Sequence, residues 1–165
     1  MTASTPPREL TTKTDHAVAE SLQKVLAGTY GLYLVTHNYH WNVEGEKFVP
    51  LHSLFEGQYN ELYLAVDLIA ERIRALGYYA LPFEGENVTQ ISKMTANPLN
   101  KETESYLRAD RMVHNLVALS GNVIDLCQVA KGEAQEAEDD ETENLLIERI
   151  TAHEKALWRL TSTLK

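Results

Sequence analysis

Apolar side chains recur at helical spacing along almost the whole chain. Val18, Leu22, Val25, Leu26, Leu32 and Val35 share one face of a first predicted helix. It runs from Thr14, with Thr14 or Asp15 as its cap, to about Asn42, where Val-Glu-Gly breaks the pattern. Pro50 suits the first turn of a second helix. Leu51, Phe55, Leu62, Val66, Ile69, Ile73 and Leu76 form its stripe, and Gly77 stops it. Residues 78–100 hold Pro82, Gly85 and Pro98, which predicts a crossover with at most one short helix near Thr89–Ala96. A third helix is expected from near Asn100 to Gly132, carrying Tyr106, Val113, Leu116, Val117, Ile124 and Leu126. Its Gly121 costs about 1 kcal/mol relative to Ala, which suggests a close helix contact there. The fourth helix follows an acidic run (Glu136, Glu138, Asp139, Asp140, Glu141, Glu143) and carries Leu145, Leu146, Ile150, Leu157, Trp158 and Leu164. No strand pattern competes. The expected fold is all-α: a four-helix bundle with one long crossover between helices 2 and 3.

Composition adds bounds. With 165 residues, 44% of them apolar, the chain can build one sizeable core. Residues 1–13, rich in Thr, Ser and Pro, read as a flexible tail, and 14–165 as a single domain. A single cysteine, Cys127, excludes an internal disulfide framework. No apolar run approaches the roughly 20 residues of a spanning helix, and the N-terminus lacks a signal-peptide core. A soluble, cytoplasmic chain is expected. The net charge of −9, from 24 acids against 15 bases, repels a phosphate backbone and attracts cations, although solubility alone accounts for it.

The chemistry concentrates in Thr36-His-Asn-Tyr-His-Trp-Asn-Val-Glu-Gly, Leu51-His-Ser-Leu-Phe-Glu and Ala65-Val-Asp-Leu-Ile-Ala-Glu-Arg. These segments carry His40, His52, Glu56, Asp67 and Glu71. His52/Glu56 and Asp67/Glu71 are i,i+4 pairs, each on one helix face. Imidazoles with carboxylates suit a metal such as iron, whereas either pair alone would also fit an exposed polar face. At about 100° per residue, Glu56, Asp67 and Glu71 lie roughly 40°, 60° and 100° from His52, and the apolar stripe centres at roughly 280°. The candidate ligands therefore point away from their own bundle. His52 and Asp67 are also roughly 22 Å apart along the axis, at 1.5 Å per residue. One metal cannot reach both from a single helix, because ligand bonds are only about 2 Å long. If all five residues serve one site, the distant pair must come from another chain, across a two-fold axis that creates two equivalent sites.

This pattern resembles the Dps family, the mini-ferritins that protect DNA in stressed bacteria. The resemblance covers residues 15–165 and is most specific at His40-Trp41-Asn42, His52, Glu56 and Asp67-Leu-Ile-Ala-Glu71-Arg72. It implies a ferritin-like bundle and a di-iron ferroxidase site shared between two subunits, with His40, His52, Glu56, Asp67 and Glu71 as ligands. Position 56 is Glu here where many members have Asp. The resemblance further implies a hollow dodecamer, a ferric mineral core, and Fe(II) and hydrogen peroxide as substrates. Trp41 matches the family's oxidisable aromatic beside the site. The acidic segment 133–143 corresponds to the family's pores at three-fold axes, without singling out one carboxylate.

Other residues keep two readings. His37, one turn before His40, is an accessory ligand or a hydrogen-bonding and packing group. Tyr39, Tyr59 and Tyr63 carry an oxidising equivalent or pack an interface. His114 and His153 read as structural. None of the six histidines has Glu three positions before it, which argues against ferritins that bind iron inside one bundle. A nucleoid-condensing DNA-binding protein is the alternative function. Arg8 and Lys13 are offset by Glu9 and Asp15, and no basic tail follows Leu164-Lys165. Direct DNA binding is therefore not expected.

Overall fold

A computed structural model describes residues 13–81, 83–95 and 108–165. Five helices occur among them: α1 (Lys13–Asn42), α2 (Phe48–Ala75), α3 (Gly85–Thr95), α4 (Ala109–Glu136) and α5 (Asp140–Ser162). Residues 1–12 of the expected tail, and Asn100 and Tyr106 of the expected third helix, lie outside the described residues.

Cross-helix contacts give the topology. His40 meets His52 and His16 meets Tyr78, so α1 and α2 are antiparallel. Asn115 near the start of α4 donates to the Tyr39 hydroxyl near the end of α1, which makes those two antiparallel as well. Arg72 reaches Thr142, Glu61 reaches Arg149, and Lys47 reaches the Thr163 carbonyl, so α5 runs against α2. Helices α2 and α4 are thus parallel. The chain between them must travel back the length of α2, roughly 42 Å for its 28 residues. That requirement explains the long connection. Helix α3 sits on this return path and runs alongside α1, where Gln90 donates to the Lys24 carbonyl at 3.2 Å.

Most of the predicted stripe residues form the core, with Val66, Val117, Ile124, Leu126 and Leu164 only partly buried against it. Val18, Leu22, Val25, Leu26, Leu51, Phe55, Ile69, Ile73, Leu116 and Leu146 are all buried. Gly77, with φ of 87°, ends α2: its N–H bonds the Arg74 carbonyl and the Tyr78 N–H bonds the Ile73 carbonyl. This paired closure is the Schellman arrangement that a glycine in the left-handed region permits.

Several boundaries differ from the sequence expectation. Helix α1 already includes Lys13, so Thr14 and Asp15 lie inside its first turn rather than at its cap. Helix α3 is earlier and longer than Thr89–Ala96. Arg108 is extended and begins α4. Gly132 does not end α4, because Ala130 and Ala134 bury the same face and carry the helix on to Glu136. The stop is Glu138, a non-glycine residue at φ 53°, whose closure bonds run from Glu138 N–H to Gln135 O and from Asp139 N–H to Ala134 O. Gly121 has no close neighbour; the tight approach is at Gly28 on α1, where an added Cβ would come within 2.8 Å of Leu126. Trp158 is 65% exposed and lies outside the stripe of α5.

Candidate metal centre

The turn between α1 and α2 spans only Val43–Lys47 and is made possible by Gly45 at φ 95°. It brings the last turn of α1 against the start of α2. There the rings of His40 and His52 stack, with centroids 3.8 Å apart and planes 25° from parallel. Each donates from Nδ1 to the other's main-chain carbonyl: His40 to His52 O at 3.0 Å, and His52 to His40 O at 2.8 Å. Because a carbonyl only accepts, both Nδ1 atoms carry a proton, which leaves Nε2 as the nitrogen of each ring that can face a metal. Such a carbonyl partner fixes the tautomer and ring orientation of a metal-binding histidine. The donor chemistry therefore fits a divalent metal.

The carboxylates do not complete the site within the chain. Glu56, Asp67 and Glu71 are exposed on the outer face of α2, and His52 is half-buried at its edge. Among the described residues, no three His, Cys, Asp or Glu side chains converge to hold a metal. Large apolar groups on α1 and α2 are exposed as well: Trp41, Phe48, Tyr63, Leu64 and Leu68. An exposed apolar set of this size is what a covering surface would bury.

Beside the histidine pair lies an aromatic cluster. His37 stacks on Tyr59 with centroids 4.1 Å apart and lies 4.2 Å from Trp41. Tyr59 also meets His40 edge-on at 5.1 Å. His37 is thus built into the wall of the site by ring packing. Tyr39, by contrast, is buried and accepts from Asn115 Nδ2 at 2.7 Å, a packing role.

Two charged features escaped the sequence pattern. Arg72, next to Glu71, donates to Asp139 Oδ1 at 2.6 Å and to Thr142 Oγ1 at 2.7 Å. Asp139 also caps α5 by accepting from the Thr142 N–H at 3.1 Å and its hydroxyl at 2.7 Å. Burial pushes the Asp139 carboxyl up, but the bonds from Thr142 and Arg72 together hold it below the usual carboxylate range. One residue of the acidic run is therefore an internal anchor that ties the end of α2 to the start of α5. The second feature is Arg149, buried on α5 and paired through both Nη atoms with Glu61. Leu146, Arg149, Ile150 and His153 follow i, i+3, i+4, i+7 spacing, which places Arg149 and His153 on the core face. His153 is buried and His114 is exposed.

The four long helices and the crossover form a ferritin-like bundle, and a ferritin-like domain model matches residues 19–165. The DNA protection during starvation protein of Brevibacillus brevis is 30% identical over 93% of this chain and 99% of its own length. The DNA protection during starvation protein 2 of Bacillus anthracis is 32% identical over 89% of this chain and 96% of its own. The solved Dps structure from Vibrio cholerae O1, described as one of the ferritin-like diiron-carboxylate proteins, superposes with a TM-score of 0.79 at 28% identity, covering 100% of this chain and 99% of that one. The chain belongs to the Dps family.

Proposed function

We propose that this protein oxidises Fe(II) with hydrogen peroxide at di-iron sites shared between two subunits and stores the Fe(III) inside a hollow shell, protecting DNA and the cell from oxidative stress. The observation that carries the proposal is the reciprocal His40/His52 clip, which engages both Nδ1 atoms and leaves both Nε2 atoms for a metal, while among the described residues no three His, Cys, Asp or Glu side chains converge to complete a site. Glu56 belongs with this pair. Asp67 and Glu71 come from the α2 of a second copy running antiparallel. Neutral imidazoles and few carboxylates hold iron loosely enough for Fe(III) to move on to a mineral.

The stoichiometry follows from the pairing. Hydrogen peroxide takes two electrons and two protons to give two waters, and two Fe(II) ions supply one electron each. The O–O bond then breaks without releasing a hydroxyl radical. Trp41 and Tyr59 stand close enough to the histidines to serve as electron donors when only one iron is present. Anaerobic Fe(II) titration followed by peroxide, read in the near ultraviolet, tests this. The expected result is two Fe(II) oxidised per peroxide with no trapped radical. A ratio of one to one with radical adducts would overturn it.

The incomplete site also requires assembly. Sedimentation at micromolar concentration is expected to find a closed shell, of twelve subunits as in the family, and no stable monomer. Direct DNA binding is not part of the proposed activity, since the chain carries a charge of −9. In a gel-shift assay near physiological salt, no retardation of duplex DNA is expected. A complex that persists at about 150 mM salt, where weak contacts are screened, would favour nucleoid condensation instead. Among the described residues no helix is long and apolar enough to cross a membrane.

A further inference from the structure

Away from the histidine pair, the bundle contains a cavity of about 240 Å³. All four long helices line it, with Thr36 from α1, Gln58 from α2, Ser120 from α4 and His153 from α5 as its polar contributors. A water molecule takes about 30 Å³ in the liquid, so the space holds a small solute with a few waters. His153 is 2% exposed, yet its Nε2 is buried with no hydrogen-bond partner, and Gln58 Nε2 is in the same condition. Buried polar atoms left unpaired are costly, and two in one cavity mark a place where something else supplies the partner.

Charge and access select the occupant. Glu61 lines the cavity, but its carboxylate is already engaged by both Nη atoms of Arg149. The remaining charged groups of the lining, Lys155 and Arg159, are both cations. This is a positive spot on a chain of charge −9. A metal ion is disfavoured there by those cations. Burial, then Arg149, push His153 down to about 4 against the opposing effect of Glu61, so the ring is neutral at pH 7 and can donate from Nε2. The seam between α2 and α5 is lined by the small residues Gly57, Ala152 and Ala156. A Cβ added at Gly57 would meet nothing within 4 Å.

We propose that this cavity is a binding site for a small oxyanion, held by the Gln58 amide and the His153 imidazole and entered between α2 and α5 past Lys155 and Arg159. The Gln58 NH₂ and the His153 Nε2–H supply the two donors that an anionic oxygen accepts. Thr36 and Ser120 bound the far wall. The site is independent of iron oxidation.

The test uses the iron-free, fully assembled protein, so that no mineral can adsorb the probe, and inorganic phosphate as that probe. Equilibrium dialysis against radiolabelled phosphate is expected to give saturable binding of one ion per chain, with sulfate competing. Gln58→Leu removes a donor to a charged group and is expected to weaken binding about tenfold or more. Gly57→Leu fills open space and raises helix propensity, so it keeps the test decisive even if Gln58→Leu misfolds; it is expected to weaken binding to the same degree. Sedimentation establishes that each variant remains assembled. Absence of saturable binding would mean that the cavity holds water only. Binding unchanged in both assembled variants would place phosphate elsewhere on the surface. Either result overturns the proposal.

Discussion

Glu61→Leu is expected to destabilise the protein by about 2–3 kcal/mol, more than a surface pair is worth because Arg149 is buried, and less than a fully buried pair because the Glu61 side chain is 46% exposed. Arg149 is 6% exposed and stays charged at any ordinary pH. Its Nη atoms donate to the two Glu61 oxygens, while its Nε has no partner. Without Glu61 a buried guanidinium would keep its charge and lose its acceptors, and its field already acts on neighbouring Cys127 and His153. The double variant Arg149→Met with Glu61→Leu removes both charges and fills similar volume, so most of the lost stability should return. Urea unfolding at one fixed protein concentration measures both, because assembly adds its own stabilisation. A cost for Glu61→Leu below about 1 kcal/mol, the level of a surface pair, would mean that Arg149 is solvated in solution.

The same residues explain what the chain pattern could and could not disclose. Periodicity is a statement about which face a residue occupies, so the stripes of α1 and α2 and the outward turn of Glu56, Asp67 and Glu71 were legible. The proposal of a second copy rests on the same arithmetic, since axial rise separates His52 from Asp67 if all five residues serve one site. Ends of helices depend instead on a few local bonds. Gly132 looks like a stop and Glu138 does not, yet Ala134 is packed and Glu138 takes the left-handed turn. Arg149 and Asp139 were hidden by residue type: charges are usually solvated, and only their partners on α2 make burial affordable. Arg149 did carry a signal, its place on the apolar face of α5. Asp139 carried none that separates it from its acidic neighbours. The His40/His52 clip was likewise out of reach, because it depends on main-chain carbonyls brought together by the tight turn at Gly45.

That clip also makes the division of labour between chains testable. His52→Ala and Glu71→Ala are each expected to abolish rapid peroxide-driven Fe(II) oxidation, yet shells refolded from an equal mixture should recover part of it. If one site joins His40, His52 and Glu56 of one chain to Asp67 and Glu71 of its neighbour, a mixed dimer has two unequal sites. One collects both lesions, and the other is wholly native. Random pairing makes roughly half the dimers mixed, so about a quarter of all sites should be intact under two-fold symmetry. A site built within one chain has no intact copy in any pairing. Neither substitution removes a core group: Glu71 is exposed and His52 half-buried, so both variants should still fold. The initial oxidation rate of the mixture, with each variant alone as baseline and mixing verified by native mass spectrometry, decides the matter. Recovery near a quarter of the wild-type rate assigns the carboxylates to the partner. Mixed shells with no recovery would mean that the ligands are assigned to the wrong chains.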